Sequence, residues 1–476
     1  MSTTLIVLFA YMAIIVAIAV ISTKRAKITE SEDYLLAGRN LGVWMLAGTL
    51  AAAEIGGGST MGVSAKAFGD WGLSAGWYVL CSGLGILLVA LIAPYLRRAM
   101  AATIPEILDR RYGKEVHFVT TVLALVSGVA LTAAQIVATA MVISTVAGMD
   151  FSTAVIISAV VVTVYTMMGG LVSVAYTDII HISVIIIGMM IALPLILDNS
   201  VAGAGVMEGW AKVKSILPEE QLDITKIGWK QIVGLTLMYF MTFSTGQEAV
   251  QRYFAAKDEV TAKKGSIICA CFMGIYGFIP AIIGLVALAY FPNIEAGQAL
   301  PTAAVNFLNP VMSGVVLAAI CAATLSSAAG NMIAVGAVFT NDVYGKYIKK
   351  DASAKTLILA SKLIILFTGL AGLVIAIKFK DIIPLLVLAF TIRSAGPFAA
   401  LIFGLVYEKV TKKGAIFSVV IASVVAIVWE YLKNPYGIMS IIVGAITSVV
   451  VLIVVSKIDL AMGGKPAPSA FLDDNK

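Results

Sequence analysis

The apolar stretch at residues 43–63 is long enough to cross a bilayer, yet it is interrupted at its middle by Glu54-Ile55-Gly56-Gly57-Gly58. A carboxylate at mid-membrane costs roughly 2.5 to 3.5 kcal/mol even on lenient insertion scales, so it is rare unless it faces a cavity, an ion or a partner. Each glycine costs about 1 kcal/mol in a helix, and unwinding in lipid frees carbonyls that need another partner. The interruption therefore predicts a binding site for a cation or a polar solute.

The rest of the chain is also apolar. Of its 476 residues, 60% are hydrophobic and only 13% are charged, which excludes a soluble globular domain. Apolar windows of about 20 residues predict about thirteen membrane-spanning helices, near residues 4–22, 43–66, 72–95, 117–147, 152–169, 177–197, 230–251, 266–291, 310–340, 356–377, 382–407, 413–432 and 437–456.

The basic residues predict the orientation, because cytoplasmic loops retain Lys and Arg. An N-terminus outside places groups such as Arg97, Arg98, Arg110 and Arg111 on the cytoplasmic side. The odd number of spans then leaves the C-terminus inside. The same rule accounts for the net charge of +6, so no nucleic-acid partner is expected. We predict a multi-pass protein of the plasma membrane, surrounded by lipid bilayer.

A second interrupted span supports an internal repeat. The run from Tyr239 to Gln247 becomes polar and reaches Gly246 within an otherwise apolar segment. The two broken helices would run in opposite directions, and such pairs mark the binding site of secondary transporters. We predict one membrane domain, made of an extra N-terminal helix and loop (1–42), a first five-helix repeat (43–197), an external loop (198–229), a second five-helix repeat (230–407), and two C-terminal helices with a short tail (408–476).

The ninth predicted span places two hydroxyl groups side by side, at Ser326 and Ser327, among small residues. A dehydrated monovalent cation needs several oxygen ligands, and serine hydroxyls with unwound carbonyls supply them without adding charge. Small residues and serines also mediate close helix packing in membranes. The residues alone leave both interpretations open.

Six segments, taken in their order and spacing, resemble the sodium/solute symporter family, which includes proline, pantothenate, sugar, sialic acid, iodide and choline carriers. They span nearly the whole chain and are AGRNLG (37–42), AAAEIGGGSTMG (51–62), YTMMGGLVSVAYTD (165–178), GQEAVQRYFAAK (246–257), CAATLSSAAGN (321–331) and VYEKVTKKGA (406–415). The resemblance implies an all-α polytopic fold of the leucine-transporter type. In this fold two five-helix repeats are inverted relative to each other, with one helix before them and two after.

The resemblance also implies a bound sodium ion. Its ligands would be carbonyls of the first broken helix, at Ala52 and Ile55, together with the Ala323 carbonyl and the hydroxyls of Ser326 and Ser327.

Asp178 is a candidate for an additional cation or coupling site. Some family members hold a second sodium with an aspartate at the matching position, but here Ala329 and Gly330 stand where further hydroxyls would lie. We therefore expect one sodium per cycle. The alternative for Asp178 is a helix N-cap that follows Thr177.

The resemblance places the solute between the broken helices and the third span. The candidate contacts are Glu54, Gly56, Ser59, Trp77, Tyr78, Tyr239, Thr242, Phe243 and Gln247. A carboxylate in a dry cavity favours an ammonium-bearing solute, and aromatic rings would add cation–π attraction. Trp and Tyr in such spans are also common packing or interface residues.

Arg393, in the eleventh predicted span, is the other charge that we expect to be buried. It could bind a substrate carboxylate, pair with Glu54, or reach a water-filled vestibule. If both charges met one ligand, an amino-acid-like zwitterion would fit best.

Together these features predict a sodium-coupled symporter for a small polar organic solute, such as an amino acid or another amine-bearing compound. It would work by alternating access, as a monomer. Symport of a monocarboxylate or a sugar is the alternative within this class, and a membrane receptor with the same fold is the rival from another class. We find no paired nucleophile and base and no metal-ligand cluster in the sequence, so we do not expect an enzyme.

Overall fold

The computed structural model describes residues 3–26, 31–407 and 409–468, which form helices joined by short connections, with two isolated β-bridges. Parts of the predicted terminal divisions, at residues 1–2, 27–30, 408 and 469–476, lie outside these described residues. The α-helices are α1 (Thr3–Ala26), α2 (Ser31–Leu36), α3 (Val43–Glu54), α4 (Val63–Phe68), α5 (Trp77–Val89), α6 (Ala93–Arg98), α7 (Ile104–Tyr112), α8 (Lys114–Ala147), α9 (Phe151–Asn199), α10 (Val206–Ile216), α11 (Glu219–Leu222), α12 (Gly228–Thr245), α13 (Gln247–Ala255), α14 (Glu259–Tyr276), α15 (Ile279–Tyr290), α16 (Ala299–Phe307), α17 (Pro310–Val338), α18 (Ala354–Lys378), α19 (Ile382–Ser394), α20 (Pro397–Val406), α21 (Lys412–Tyr431) and α22 (Ser440–Ala461).

Nine helical segments of the described chain are long and apolar enough to cross a membrane, or ten when the pair α19 and α20, bent by 55°, counts as one span. Two shorter apolar helices, Val43–Glu54 and Phe151–Met167, fall in regions where we also predicted spans. The predicted all-α membrane fold is confirmed. The count of thirteen spans stays a prediction.

The first predicted break separates α3 from α4. Ile55 has φ −76° and ψ 68°, and the Gly56 amide donates to the Glu54 carbonyl at 2.8 Å, which is the geometry of an inverse γ-turn. A π-helical turn over Gly58–Gly62 then leads into α4. The carboxylate and the glycines therefore lie at a true interruption of the helix, as the sequence predicted.

The second predicted break separates α12 from α13. Gly246 has φ −77° and ψ 121°, an extended conformation between two helices. Both interrupted spans that the sequence indicated are present.

The predicted fifth and sixth spans form one kinked element, α9. Gly170 has φ 61° and ψ −164° within it, and a Cβ there would lie 2.6 Å from the Tyr34 carbonyl oxygen. Only glycine meets both the left-handed φ and this close approach. Asp178 consequently lies inside a continuous helical segment, Ser173–Asn199. The alternative prediction that Asp178 is an N-cap is wrong, because the helix begins before it.

The helix α17 lies at the centre of the molecule. Every residue from Val316 to Val338 is buried, and the helix packs against α1, α8 and α9. It also contacts α3 and α13, which are halves of the two broken spans. The hydroxyl pair on α17 is therefore brought to the breaks.

Candidate functional site

The break after Glu54 redirects two backbone amides. In a regular α-helix, the Gly56 amide would bond to the carbonyl of Ala52 and the Gly57 amide to that of Ala53. Instead, the Gly56 amide donates to the Glu54 carbonyl, and the Gly57 amide donates at 2.8 Å to the side chain of a glutamine in α8. Two carbonyl oxygens at the end of α3 thereby lose the donors that a regular helix would supply.

The hydroxyl of Ser327 takes the place of those amides. Its Oγ donates to the carbonyl oxygens of Ala52 and Ala53, at 3.0 and 3.1 Å. Of the other predicted sodium ligands, Ile55 forms the turn itself. Ala323 lies four residues before Ser327, on the same face of α17. The structure thus brings α17 onto the first break and adds Ala53 to the candidate oxygen ligands.

The glycines of the break allow this close approach. A Cβ at Gly56 would lie 2.3 Å from the Ser327 Oγ, and one at Gly57 would lie 2.9 Å from Oε1 of Gln135, the glutamine named above. Gly56 is therefore packed against α17 and α8, and it is not among the residues that line the cavity described below. Its contact with the solute stays a prediction.

Ser326 contacts a different partner. Its hydroxyl donates to Oδ1 of Asp178, and the Thr49 hydroxyl donates to Oδ2. Nη2 of Arg252 lies 3.7 Å from Oδ2, and Nε of Arg252 donates to the Thr49 hydroxyl at 3.0 Å. All four side chains are fully buried. Asp178 therefore adjoins the predicted sodium site but already has a cationic partner, which we did not predict.

A small cavity of about 30 Å³, which we call the central cavity, lies beside the first break. Five predicted solute contacts line it, namely Glu54, Ser59, Tyr78, Thr242 and Phe243. The remaining lining residues are Ala53, Gly58, Leu131, Gln135, Glu248, Ala249, Asn331, Leu386 and Phe390.

The carboxylate of Glu54 faces this cavity. The Ser59 hydroxyl is 3.0 Å from its Oε1 and 2.7 Å from its carbonyl oxygen. The buried arginines pair with other carboxylates, Arg252 with Asp178 and Arg393 with Glu248. Of the three roles considered for Arg393, pairing with Glu54 is therefore replaced by pairing with Glu248, and the Glu54 carboxylate has no cationic partner among the described residues.

Aromatic rings form one wall of the site. The rings of Tyr78 and Tyr239 meet edge-on with their centres 5.4 Å apart. The centre of the Tyr239 ring lies 6.2 Å from the ring centres of both Phe243 and Phe390. The Thr242 hydroxyl is buried without a hydrogen-bond partner in the described part of the chain, and the Tyr239 hydroxyl lies close to the Glu54 carboxylate and the Tyr78 hydroxyl. Because buried polar groups are normally paired, the Thr242 hydroxyl is suited to a polar guest.

Two other predicted contacts have different roles. Nε1 of Trp77 donates to the Ile224 carbonyl at 2.8 Å, so this side chain is held by the loop before α12 and is not part of the cavity wall. The Gln247 amide accepts from Ile104 N at 3.0 Å and donates to the Ala102 carbonyl at 2.9 Å. It fixes the connection between α6 and α7, although it lines a second cavity.

This second cavity, which we call the Arg393 cavity, begins where the central cavity ends. The two share Leu131, Glu248 and Asn331. The other residues lining the Arg393 cavity are Ile104, Pro105, Thr120, Ala124, Ser127, Gly128, Thr245, Gln247, Ala334, Val335, Val338, Arg393 and Pro397. Nη1 of Arg393 forms an ion pair with Oε2 of Glu248 within it.

The sequence analysis missed Glu248 and Asn331. Asn331 lies four residues after Ser327, so helical spacing places it on the face that carries that hydroxyl. Glu248 follows Gln247 directly at the second break. Both positions were therefore accessible from the pattern, although the pairing of Glu248 was not.

Comparison with known proteins finds relatives of the whole chain. A sequence profile of the sodium:solute symporter family matches residues 34–422. The sodium/proline symporter of Escherichia coli (strain K12) is 28% identical over 467 residues, which cover 93% of this chain and 89% of that protein. The sodium/glucose cotransporter of Vibrio parahaemolyticus is 26% identical over 456 residues, which cover 86% of this chain and 82% of that protein.

Solved structures share the fold. A sodium-coupled sialic acid symporter, in a substrate-bound outward-open state, matches with a TM-score of 0.80 over 98% of this chain and 99% of that one, at 20% identity. MhsT in complex with L-phenylalanine matches with a TM-score of 0.53 over 87% of this chain and 97% of that one, at 14% identity. The fold is therefore of the leucine-transporter type.

Proposed function

Because the chain belongs to the sodium:solute symporter family, we propose that it carries a small polar organic solute across the membrane together with sodium, by alternating access. The family and its relatives are sodium-coupled transporters of the membrane and not enzymes. The relatives named above are carriers of proline and of glucose. The free Glu54 carboxylate favours an amino acid or another amine-bearing solute here.

The proposal rests on one observation. The Ser327 hydroxyl bridges the carbonyl oxygens of Ala52 and Ala53, which have no helical N–H donor because of the first break. Carbonyl and hydroxyl oxygens are ligands that a dehydrated alkali cation can use. The proposed sodium site comprises the carbonyls of Ala52, Ile55 and Ala323 with the hydroxyls of Ser326 and Ser327, and Ala53 is an added candidate.

A sodium ion at this site would tie α3 to α17, because its ligands come from both helices. The central cavity begins at the same break, with Ala53 and Glu54 in its wall. If sodium binds more tightly to one arrangement of the broken helix, it shifts the protein toward that arrangement and so changes the affinity for the solute. The solute has the same effect on the affinity for sodium, because coupling between two sites is reciprocal. This linkage would let a sodium gradient drive solute uptake.

The finer architecture is part of the proposal. We infer thirteen spans with the N-terminus outside and the C-terminus inside, and two inverted five-helix repeats over residues 43–197 and 230–407. In this orientation, α7 and the Arg393 cavity lie toward the cytoplasm, and α4 leads toward the outside. The broken helices would then meet near mid-membrane, where secondary transporters bind their solutes. We expect the monomer to be the functional unit.

Uptake into proteoliposomes tests the proposal. An inward sodium gradient should drive accumulation of a radiolabelled solute from a panel that includes L-proline, choline and D-glucose. Ser327→Ala should raise the sodium concentration for half-maximal uptake about tenfold or more, which is about 1.4 kcal/mol of lost sodium binding.

Ser313→Ala is the matched control. Ser313 is buried in the same helix, and its hydroxyl has no partner among the described residues. Its sodium dependence should match that of the unmodified protein. Solute binding without sodium-driven accumulation would contradict the symport proposal and favour a receptor.

A further inference from the structure

Arg393 presents a buried edge without a partner. Its side chain is only 4% exposed, and Nη1 is the nitrogen that pairs with Glu248. Nε and Nη2 are also buried, yet neither has a hydrogen-bond partner in the part of the chain that the structure describes. A buried charged donor is costly to leave unpaired, so these two nitrogens indicate a missing acceptor.

The two free nitrogens lie side by side on one edge of the planar guanidinium. Their N–H groups form the fork that matches the two oxygens of a carboxylate, and such bidentate contacts are stronger and more directional than single hydrogen bonds. An ammonium group would be repelled by the positive charge. A sugar hydroxyl would offer only one acceptor atom to a charged fork.

The surroundings hold this fork in place. A Cβ at Gly246 would lie 2.6 Å from both Cζ and Nη2 of Arg393, so the guanidinium rests directly on the backbone of the second break. Cζ also lies 5.0 Å from the centre of the Phe390 ring. Glu248 holds Nη1 on the opposite edge. The fork is therefore preorganised, and a glycine at the break makes this position accessible.

The Arg393 cavity offers a small anion the arginine and the side-chain amide of Asn331. Thr245 and Gln247 also line it, but their side chains are already hydrogen-bonded, Thr245 to Ser394 and the Met241 carbonyl, and Gln247 to Ile104 and Ala102. The cavity continues from the central cavity through Glu248 and Asn331. A solute that leaves the central cavity in this direction meets the free edge of Arg393.

We propose that the free Nε and Nη2 edge of Arg393 binds the carboxylate of the transported solute, which is therefore a small monocarboxylate or an amino acid. The inference rests on the proposed symport function and narrows its substrate class. Glu248 offsets the charge of Arg393 when the cavity is empty of solute, and it competes with the incoming carboxylate. A purely structural ion pair would account for Nη1 but not for the two unpaired nitrogens.

The test is ligand-dependent thermal stabilisation of the purified full-length protein in lipid nanodiscs, with and without sodium. The probes are L-proline, L-alanine, pyruvate and propionate, each compared with its amide, together with choline and D-glucose. At least one carboxylate should raise the melting temperature in sodium, and its amide at the same concentration should not. Comparing pyruvate and propionate with the two amino acids shows whether binding also requires the amino group.

Two variants test the role of the fork. Arg393→Gln should weaken binding of that carboxylate tenfold or more. Arg393→Lys keeps the positive charge but lacks the fork, and it should weaken carboxylate binding at least fivefold. This variant also provides the test if Arg393→Gln does not fold. The stabilisation by sodium alone should stay at the unmodified level in both variants, because the proposed sodium ligands are intact.

Arg98→Gln is the matched control, since Arg98 pairs with Glu259 at 2.9 Å on the exposed end of α6. It should leave carboxylate affinity unchanged. Equal binding of the acid and its amide, unchanged affinity in Arg393→Gln, or stabilisation by choline or D-glucose and by none of the carboxylates would overturn the inference. Sodium-driven uptake of one of those neutral or cationic solutes would leave the symport proposal standing, so the two failures are distinguishable.

Discussion

Gly57 is constrained by space rather than by backbone conformation. Its φ of −60° and ψ of −41° are ordinary helical values that any residue can adopt. A Cβ at this position, however, would lie 2.3 Å from the Ala138 Cβ and 2.9 Å from Oε1 of Gln135. That oxygen accepts the Gly57 amide hydrogen bond. One residue therefore sets how closely the first break approaches α8.

We predict that Gly57→Ala lowers the melting temperature of the purified protein. Overpacking of this kind typically costs about 1 to 3 kcal/mol. Gly188→Ala in α9 is the control, because its Cβ would meet no atom of the described residues within 4 Å. It should be neutral or stabilising by up to about 1 kcal/mol. Similar melting temperatures for the two variants would contradict the packing described at the break.

Sequence reasoning located much of the site residue by residue but could not pair its charges. Glu54, its glycines and the serine pair are recognisable because each is unusual within its own helix. The partners of Arg393 and Asp178 lie far away along the chain, and they depend on how the helices approach one another. Glu248 and Arg252 were therefore identified as partners only in three dimensions.

At the scale of helices, a buried cluster joins four elements. Thr49 of α3, Asp178 of α9, Arg252 of α13 and Ser326 of α17 meet without exposure to solvent. Both broken spans contribute to it, as does the central helix. Removing one charge of a buried pair is costly, because the other is left uncompensated.

We predict that Asp178→Asn destabilises the protein by about 3 to 5 kcal/mol, the typical cost of breaking a buried ion pair. The double variant Asp178→Asn with Arg252→Met should recover part of that loss, because no unpaired charge remains. Thermal unfolding of the purified variants measures both effects. If Asp178→Asn unfolds like the unmodified protein but loses its response to sodium, Asp178 is a cation ligand and the structural role is wrong.

The helix breaks were predictable because they arise from local composition. The runs around Glu54 and Gly246 weaken a helix wherever they occur, and both spans are interrupted where the sequence indicated. The spans predicted at 152–169 and 177–197 placed an interruption near Gly170, where α9 is kinked, but not the left-handed φ and the contact with Tyr34 that form it. The second helical segment begins before residue 177, and this earlier start is why the N-cap interpretation of Asp178 was wrong.

At the scale of the whole molecule, cavities lie on both sides of the first break. Beyond the central cavity on the α4 side, a third cavity is lined by residues that include Ala65, Lys66 and Lys380. Ile383 and Leu386 of α19 pack against the glycines of the π-helical turn, and Leu386 also lines the central cavity. Movement of the broken helix against α19 and α17 would open one side and close the other.

Solvent access to the third cavity and to the Arg393 cavity tests the central claim most directly. Ala65→Cys reports on the cavity beside α4, and Ala334→Cys reports on the Arg393 cavity. Each would be made with Cys271→Ser, because Cys271 is exposed and the other three native cysteines are buried. Labelling by a membrane-impermeant thiol reagent would be followed in nanodiscs, with and without sodium.

Sodium should increase labelling at Ala65→Cys and decrease it at Ala334→Cys, because the ion ties α3 to α17 on the side proposed to face the cytoplasm. Adding Ser327→Ala should abolish both changes at the same sodium concentration. If sodium leaves both rates unchanged, or if Ser327→Ala responds like the unmodified protein, sodium does not act through the broken helix and the account is wrong.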